Sequence, residues 1–300
     1  MTRLILATRR SALALAQSRA FARSLVALSP GLEVGELEVV TSGDKITDRP
    51  LQEVGGKGLF VKELEEALLD GRAHFAVHSY KDVPAVIPDG LVITAVPRRE
   101  DPRDVFITRT GARLAELPAG ARVGTSSLRR AAAIGVARPD LVILPLRGNV
   151  DTRLRKLDEG QVDAIVLALA GLKRLGLEQR ATEILDPSVM LPAIGQGALG
   201  IECAAADDET RTLLAPIDDP ETSVRVAAER GVMVALGADC HTPVAAHAVR
   251  TADDGLWLRA MIAEPDGTRP RLAERRVAWP ATASEAARVG LDLGQELLRA

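Results

Sequence analysis

Three hundred residues, 47% of them hydrophobic and 26% charged, describe a globular chain long enough for two or three domains with substantial cores. A net charge of −3 and an aromatic content of 2% argue against a general nucleic-acid binder, which is usually basic and stacks bases on aromatic rings. No apolar run approaches a membrane span, and Leu4–Ala7 is too short for a signal-peptide core. The two cysteines, Cys203 and Cys240, sit in no metal-ligand spacing, so a cytoplasmic protein without disulfides or metal is expected.

In chain order, Leu4–Ala7 predicts a strand, Thr8–Ser11 a loop and Ala12–Leu28 an Ala/Leu-rich helix. Glu38–Thr41 predicts a second strand that leads into a polar loop. Gly55-Gly56-Lys57-Gly58 then opens a helix from about Leu59 to Asp70, with Phe60, Leu64 and Leu68 on its apolar face and Gly71 as its cap. Phe75-Ala76-Val77 reads as a buried strand running out into His78-Ser79-Tyr80-Lys81-Asp82-Val83-Pro84, where Pro84 disfavours helix at Val83. Asp82 is thereby offered at the mouth of a sheet, where open α/β sheets place ligands. A carboxylate there can stabilise a cation or carry a proton, although turn aspartates commonly bond only their own backbone. Leu91–Val96 is a further strand.

The charged stretch Arg98–Asp104 reads as a crossover to a second α/β lobe. Its predicted strands are Val105–Ile107, Arg122–Gly124, Leu141–Leu144 and Ala164–Leu169, and its helices start near Leu128 and Val150. Leu191–Gly197 reads as a second crossover, after which Ala198–Glu202 adds a strand back to the first lobe. A small α+β domain follows, with helices at Ser223–Leu236 and Ala283–Leu298 and strands at Ala245–Val249, Leu256–Ile262 and Arg271–Val277. The expected domains are 1–97 with 198–216, 103–192, and 220–300. Two lobes joined by two crossovers imply a cleft.

Between Arg122 and Lys156 eight basic residues face two acidic ones, so a chain of net negative charge carries a strongly basic segment. Thr125-Ser126-Ser127-Leu128-Arg129-Arg130 and Arg147-Gly148-Asn149-Val150-Asp151-Thr152-Arg153 each lie where a loop enters a helix. A helix N-terminus offers free N–H groups and a positive dipole end, and arginine adds a fork that matches a carboxylate. Thr8-Arg9-Arg10-Ser11 repeats the arrangement in the first lobe, and Lys173-Arg174 continues it in the second. A solvated basic face is the bland reading. Repetition at four junctions points to a ligand bearing several anionic groups, and no Walker A spacing is present. Cys203 reads as a buried small hydrophobe. Cys240, in the polar loop Gly237–Pro243, fits either a structural thiol or a nucleophile.

Taken together, Ala7-Thr8-Arg9, Val54–Phe60, His78–Pro84, Arg99–Asp104, Gly124–Arg130, Leu146–Val150, Ala170–Gly176 and Pro192–Gly197 resemble, in order and over almost the whole chain, the hydroxymethylbilane synthase (porphobilinogen deaminase) family. The resemblance implies two type II periplasmic-binding-protein-like α/β lobes and a third domain that carries a cysteine. It implies a transferase of porphyrin biosynthesis, acting as a monomer on porphobilinogen. Its dipyrromethane cofactor would be joined by a thioether to Cys240, and Asp82 would be the catalytic carboxylate. The family's carboxylate-binding arginines fall on Arg9, Arg129, Arg130, Arg147, Arg153 and Arg174. Further cofactor or substrate contacts fall on Ser79, Lys81, Thr125, Ser127 and Gln196, with Lys57 and Phe60 in an active-site loop. The sequence departs from the family at Ala238-Asp239 and His241-Thr242, which flank the cysteine, and at Tyr80, where Met or Leu is usual. The rival reading is a non-catalytic anion-binding module on the same two-lobed scaffold.

Overall fold

The structure is a computed structural model that describes residues 2–45, 60–238, 242–264 and 267–299. The expected sites at Lys57 and Cys240, with Gly55–Gly58, lie outside the described residues.

In the first sheet β1 (Thr2–Arg9), β2 (Leu32–Val39) and β3 (Phe75–Ser79) are parallel, in the order β2-β1-β3. Parallel neighbours need a crossover, and α1 (Ala12–Leu28) supplies the one between β1 and β2. Ser11 caps α1 by accepting from the Ala14 N–H, and the buried Ala14, Gln17, Ser18, Phe21 and Leu25 recur at helical spacing. The short α2 (Ser42–Lys45) and α3 (Lys62–Leu69) lie between β2 and β3. Leu64, Ala67 and Leu68 of α3 pack on Ala7, Ala76 and Leu91. β10 (Leu199–Ala204) then enters antiparallel beside β3, and β4 (Leu91–Ala95) closes the edge. Phe75, Ala76 and Val77 are almost wholly buried, as the unbroken apolar run suggests for a strand covered on both faces.

The second sheet repeats this plan without repeating the sequence. Its strands are β5 (Asp104–Thr108), β6 (Arg122–Gly124), β7 (Val142–Leu144), β8 (Ala164–Ala168) and β9 (Glu183–Ile184), in the order β7-β6-β8-β5-β9. As in the first sheet, three parallel strands are followed by an antiparallel one delivered by a crossover, here β5, and then by an edge strand. The helices α4 (Leu128–Ala137), α5 (Val150–Asp158) and α6 (Leu169–Arg174) connect them, whereas α7 (Asp208–Leu214) follows β10. Both sheets therefore have the α/β architecture of the type II periplasmic-binding lobes that the family resemblance implies.

The remaining chain is α+β, as expected. β11 (Val244–Arg250), β12 (Gly255–Ile262) and β13 (Arg271–Ala278) form an antiparallel sheet. α8 (Pro220–Ala235) and α9 (Ala283–Arg299) pack on one face of it through Ala228, Val232, Ala286, Leu293 and Leu297. By compactness the chain divides into two units, Met1–Arg99 with Ala198–Ser223, and Glu100–Gly197 with Val224–Ala300. Within the second unit, Ala132 and Leu191 share a buried cluster with Ala245, Met261 and Ala263.

Two expectations shift. The second strand lies at Leu32–Val39 and not at Glu38–Thr41, because it pairs with β1 along its whole length, Thr2 with Leu32 through Arg9 with Val39. Gly35 interrupts the apolar pattern there, and a Cβ at that position would lie 2.9 Å from Ile5 Cδ1, so it is the β1 side chain that fills the gap. Among the described residues α3 begins at Lys62, whereas the sequence suggests a start near Leu59.

The closest helix approach in the third domain is at Gly290. A Cβ there would fall on the Ala228 carbonyl oxygen, and one at Gly231 would fall on that of Ala287. Neither obstacle is a flexible side chain, so the helices must separate to admit a methyl group. Gly290→Ala should cost about 1–3 kcal/mol, read as a lower urea midpoint at unchanged m-value.

Candidate active site

In the first unit the polar ends of β1 and β3 carry the expected site residues Arg9 and Ser79, with Lys81 and Asp82 just beyond β3. Arg9, the last residue of β1, stacks its guanidinium 4.4 Å from the centroid of the Phe60 ring. Thr8 is buried and donates to Ser18 Oγ at 3.0 Å. Ser79, at the end of β3, donates to Gln17 Oε1 at 3.1 Å and so ties the strand to α1. The expected polar loop begins as a single 3-10 turn, Tyr80–Asp82. Tyr80 is buried, its N–H bonds Ala198 O at 3.0 Å, and its ring lies over Gly200, where a Cβ would be 3.1 Å from Cδ2. The missing side chain of Gly200 makes room for the aromatic ring of Tyr80. The turn leaves Lys81 and Asp82 exposed while Val83 returns to the core.

In the second unit the site residues gather at the N-terminus of α4. Thr125 is buried, and its Oγ1 accepts the Ser127 N–H at 3.1 Å. Ser127 caps α4 by accepting the Arg130 N–H at 3.4 Å. Arg129 and Arg130, in the first turn, are 4% and 5% exposed and converge on Asp104, which is fully buried. Arg130 Nη2 donates to Asp104 Oδ1 at 2.8 Å, and its Nη1 donates to Val166 O at 2.9 Å. Arg129 sets Nη2 2.8 Å from Oδ2, an ion pair not aligned as a hydrogen bond, and donates from Nη1 to Leu191 O at 2.6 Å. Gln196, from the second crossover, donates to Asp104 Oδ1 at 3.2 Å and to Pro102 O at 2.5 Å. Burial alone would push the Asp104 carboxyl up, yet the two guanidinium groups outweigh it and hold Asp104 below the usual aspartate range.

Asp104 is the group that sequence reasoning missed. It closes the run Arg98–Asp104, which reads as a charged crossover, and only its place as the first residue of β5 shows that it is buried. Among the described residues two cations share this one carboxylate, which leaves one positive charge in excess at the start of α4, where the helix dipole is also positive.

The other arginines divide into two sets. Arg122 is held by Asp163 at 2.8 Å, Arg138 by Asp140 at 2.6 Å and Arg155 by Glu159 at 3.0 Å. These three, counted in the basic segment but not among the expected binding residues, belong to ion pairs. Arg153 donates to Gly148 O at 2.7 Å, and Lys156 to Arg147 O at 3.2 Å, so the Arg147–Asn149 loop is braced from α5. Arg174 donates to Gly197 O at 2.7 Å, and burial lowers its proton affinity. Lys173 pairs with Glu100 at 2.7 Å.

A family model described as "Porphobilinogen deaminase, dipyromethane cofactor binding domain" matches residues 4–212, and "Porphobilinogen deaminase, C-terminal domain" matches 223–299. A curated relative from Sorangium cellulosum, named porphobilinogen deaminase, is 69% identical over 297 residues, which cover 99% of this chain and 98% of that protein. Another of the same name from Syntrophobacter fumaroxidans is 54% identical over 292 residues, covering 97% and 93%. Among solved structures, the periplasmic VFT2 domain of Bordetella pertussis BvgS aligns with TM-score 0.41 and 16% identity, over 71% of this chain and 85% of that one. A TRAP periplasmic solute binding protein from Desulfovibrio salexigens aligns with TM-score 0.42 and 12% identity, over 72% of each.

Removing the carboxylate at the hub would leave two buried cations without their partner. Asp104→Ala should lose about 3–5 kcal/mol, measured by urea unfolding at neutral pH. Because the folded carboxyl is held low, its contribution is complete above the ordinary aspartate value of about 3.9 and is lost as pH falls below it. The gap between parent and variant should therefore narrow on acidification.

Proposed function

The chain belongs to the porphobilinogen deaminase family, and from that membership we infer how its residues divide the work. Its function is that of a hydroxymethylbilane synthase, a transferase of porphyrin biosynthesis. It joins four porphobilinogen molecules by stepwise deamination and releases the linear hydroxymethylbilane and ammonia. A non-catalytic anion-binding module is not favoured.

The cofactor is a dipyrromethane, which when bound supplies the nucleophilic free α-carbon at which the chain grows. The residues around α4 suit such a group: Thr125 and Ser127 are hydroxyl-bearing, the hub keeps one positive charge in excess, and the helix N-terminus favours carboxylates. We assign its attachment to Cys240. Arg9, Arg129, Arg130, Arg147, Arg153 and Arg174 hold the acetate and propionate groups, and Ser79, Lys81, Thr125, Ser127 and Gln196 add hydrogen bonds. Lys57 and Phe60 are assigned to an active-site loop. Each pyrrole ring added brings two more carboxylates, which is why one protein requires so many guanidinium groups.

Asp82 is assigned the chemistry. Its carboxylate accepts from the pyrrole N–H and stabilises the cation left when porphobilinogen loses its amine. It then carries the proton released when the new bond forms. The observation that supports this role is the 3-10 turn, which leaves Asp82 exposed while Tyr80 and Val83 on either side are anchored in the core. The reading divides the chain into 1–97 with 198–216 around Asp82, 103–192 around the arginines, and 220–300 carrying the cysteine. It takes the protein to act in the cytoplasm as a monomer. Among the described residues no helix is long and apolar enough to cross a membrane.

Asp82→Asn should keep the fold and lose kcat by about a hundredfold to ten-thousandfold, and normal turnover would refute the role. Intact mass should show two linked pyrrole units on the parent and none on Cys240→Ser. An adduct that persists on the variant would move the attachment elsewhere.

A further inference from the structure

The turn that delivers Gln196 to the arginine hub is seated on the third domain. It spans residues 193–196 and is closed by the Gln196 N–H, which donates to Ala193 O at 2.9 Å. Ile194, inside the turn, is buried in the same cluster as Val224, Ala228 and Val232 of α8 and Ala246 of β11. The next residue, Gly195, has a φ of 68° and donates its N–H to Glu229 Oε2 at 2.8 Å. Glu229 lies on α8 and is fully buried, and its other oxygen, Oε1, accepts the Ala248 N–H of β11 at 2.9 Å. His247 Nδ1 is 3.4 Å from that oxygen.

Beyond Gln196 the chain is held by the second lobe. Gly197, with a φ of 87°, lies so close to the first crossover that a Cβ there would fall on the Glu100 carbonyl oxygen. The Gly197 carbonyl accepts from Arg174 Nη2 at 2.7 Å and from the Glu100 N–H at 3.3 Å. Between these two fastenings the Gln196 side chain, 1% exposed, completes the hub. Its Nε2 donates to Pro102 O and Asp104 Oδ1, and its Oε1 accepts from Arg129 Nη2 at 3.5 Å. A glycine on each side gives the Gln196 backbone little local restraint, so its direction depends on what grips the glycines. At Gly195 that grip is a carboxylate, whose two oxygens accept backbone N–H groups from two different elements. An amide of the same shape would turn its NH2 toward one of those donors and leave it unsatisfied.

We propose that Glu229 is a positioning residue for the anion-binding site: by fixing the Gly195 peptide it aims Gln196 at Asp104 and Arg129. The third domain then sets the geometry of the arginine hub in addition to carrying the cofactor cysteine. The inference rests on the assignment of Arg129, Arg130 and Gln196 as residues that hold the carboxylates of cofactor and substrate. When the Gly195 peptide turns away, Gln196 leaves Asp104, and Arg129 loses the neighbour that orients its guanidinium. Carboxylate binding weakens, whereas the proton chemistry assigned to Asp82 is left in place.

The test is a double-mutant cycle on the holoenzyme, Glu229→Gln against Gln196→Ala, read as Tm without substrate and as KM and kcat for porphobilinogen. Each single variant should raise KM about threefold to tenfold, with a smaller change in kcat. Because Glu229 acts through Gln196, the KM of the double variant should not exceed the larger of the two single values. The Tm loss caused by Gln196→Ala should likewise shrink to about half or less in the Glu229→Gln background. Gly290→Ala, which loosens the same domain away from the turn, should lower Tm and keep the parental KM. Additive effects on either Tm or KM overturn the proposal, and so does a KM in Gly290→Ala raised as far as in Glu229→Gln. If Glu229→Gln does not fold, Ile194→Ala removes the other fastening of the turn and enters the cycle with the same expectations. A parental KM in Gln196→Ala would instead unseat Gln196 as a binding residue, while the Tm cycle would still decide whether Glu229 holds it at the hub.

Discussion

One buried carboxylate organises the second unit. Asp104 begins the strand that the first crossover delivers, and it is approached by both arginines of the first turn of α4 and by Gln196 of the second crossover. Two guanidinium groups could not stay buried without it, since an unpaired interior charge costs several kcal/mol. The same contacts hold the α4 N-terminus against both chain crossings. The excess charge and the free N–H groups of the helix then point to a ligand rich in carboxylates.

The two sheets share one plan and present different side chains at their strand ends. Each ends its parallel strands in loops and helix starts, the usual place for ligands in open α/β sheets. In the first unit those ends carry the exposed carboxylate of Asp82, on a turn anchored at both sides. In the second they carry hydroxyls and arginines at two helix N-termini. The proposed reading gives the first sheet the proton carrier together with Arg9, and gives the second sheet most of the anion-binding arginines.

Buried carboxylates occur in both units and are satisfied in opposite ways. Asp104 has more cations than it can neutralise, so it stays ionised and acts as a fixed anchor. Glu202 has the His78 imidazole at 2.9 Å, and on the helix behind it burial, and then Glu202, push the Glu65 carboxyl up to about 7. The first arrangement is insensitive to pH across the physiological range, whereas the second is not.

Much of this was legible in the sequence. The bounds of α1, Ala12–Leu28, and of β6, Arg122–Gly124, follow from local periodicity and turn residues, because helix and strand periods are local properties. The ordered motifs identify the family without any coordinates. The sequence also put Asp82 at a strand end, because Phe75–Val77 and Pro84 bound it on both sides. What it could not decide was pairing between distant residues. Arg122, Arg138 and Arg155 look the same in a string of basic residues as Arg129 and Arg130, yet three are held at the surface by nearby acids and two are buried on Asp104. Asp104 itself looks like part of a linker, β2 is placed by β1 and not by its own apolar pattern, and Glu65, Glu202 and His78 come from three separate stretches of chain. Charge pairing and burial depend on distance in space, and only the folded backbone sets that distance.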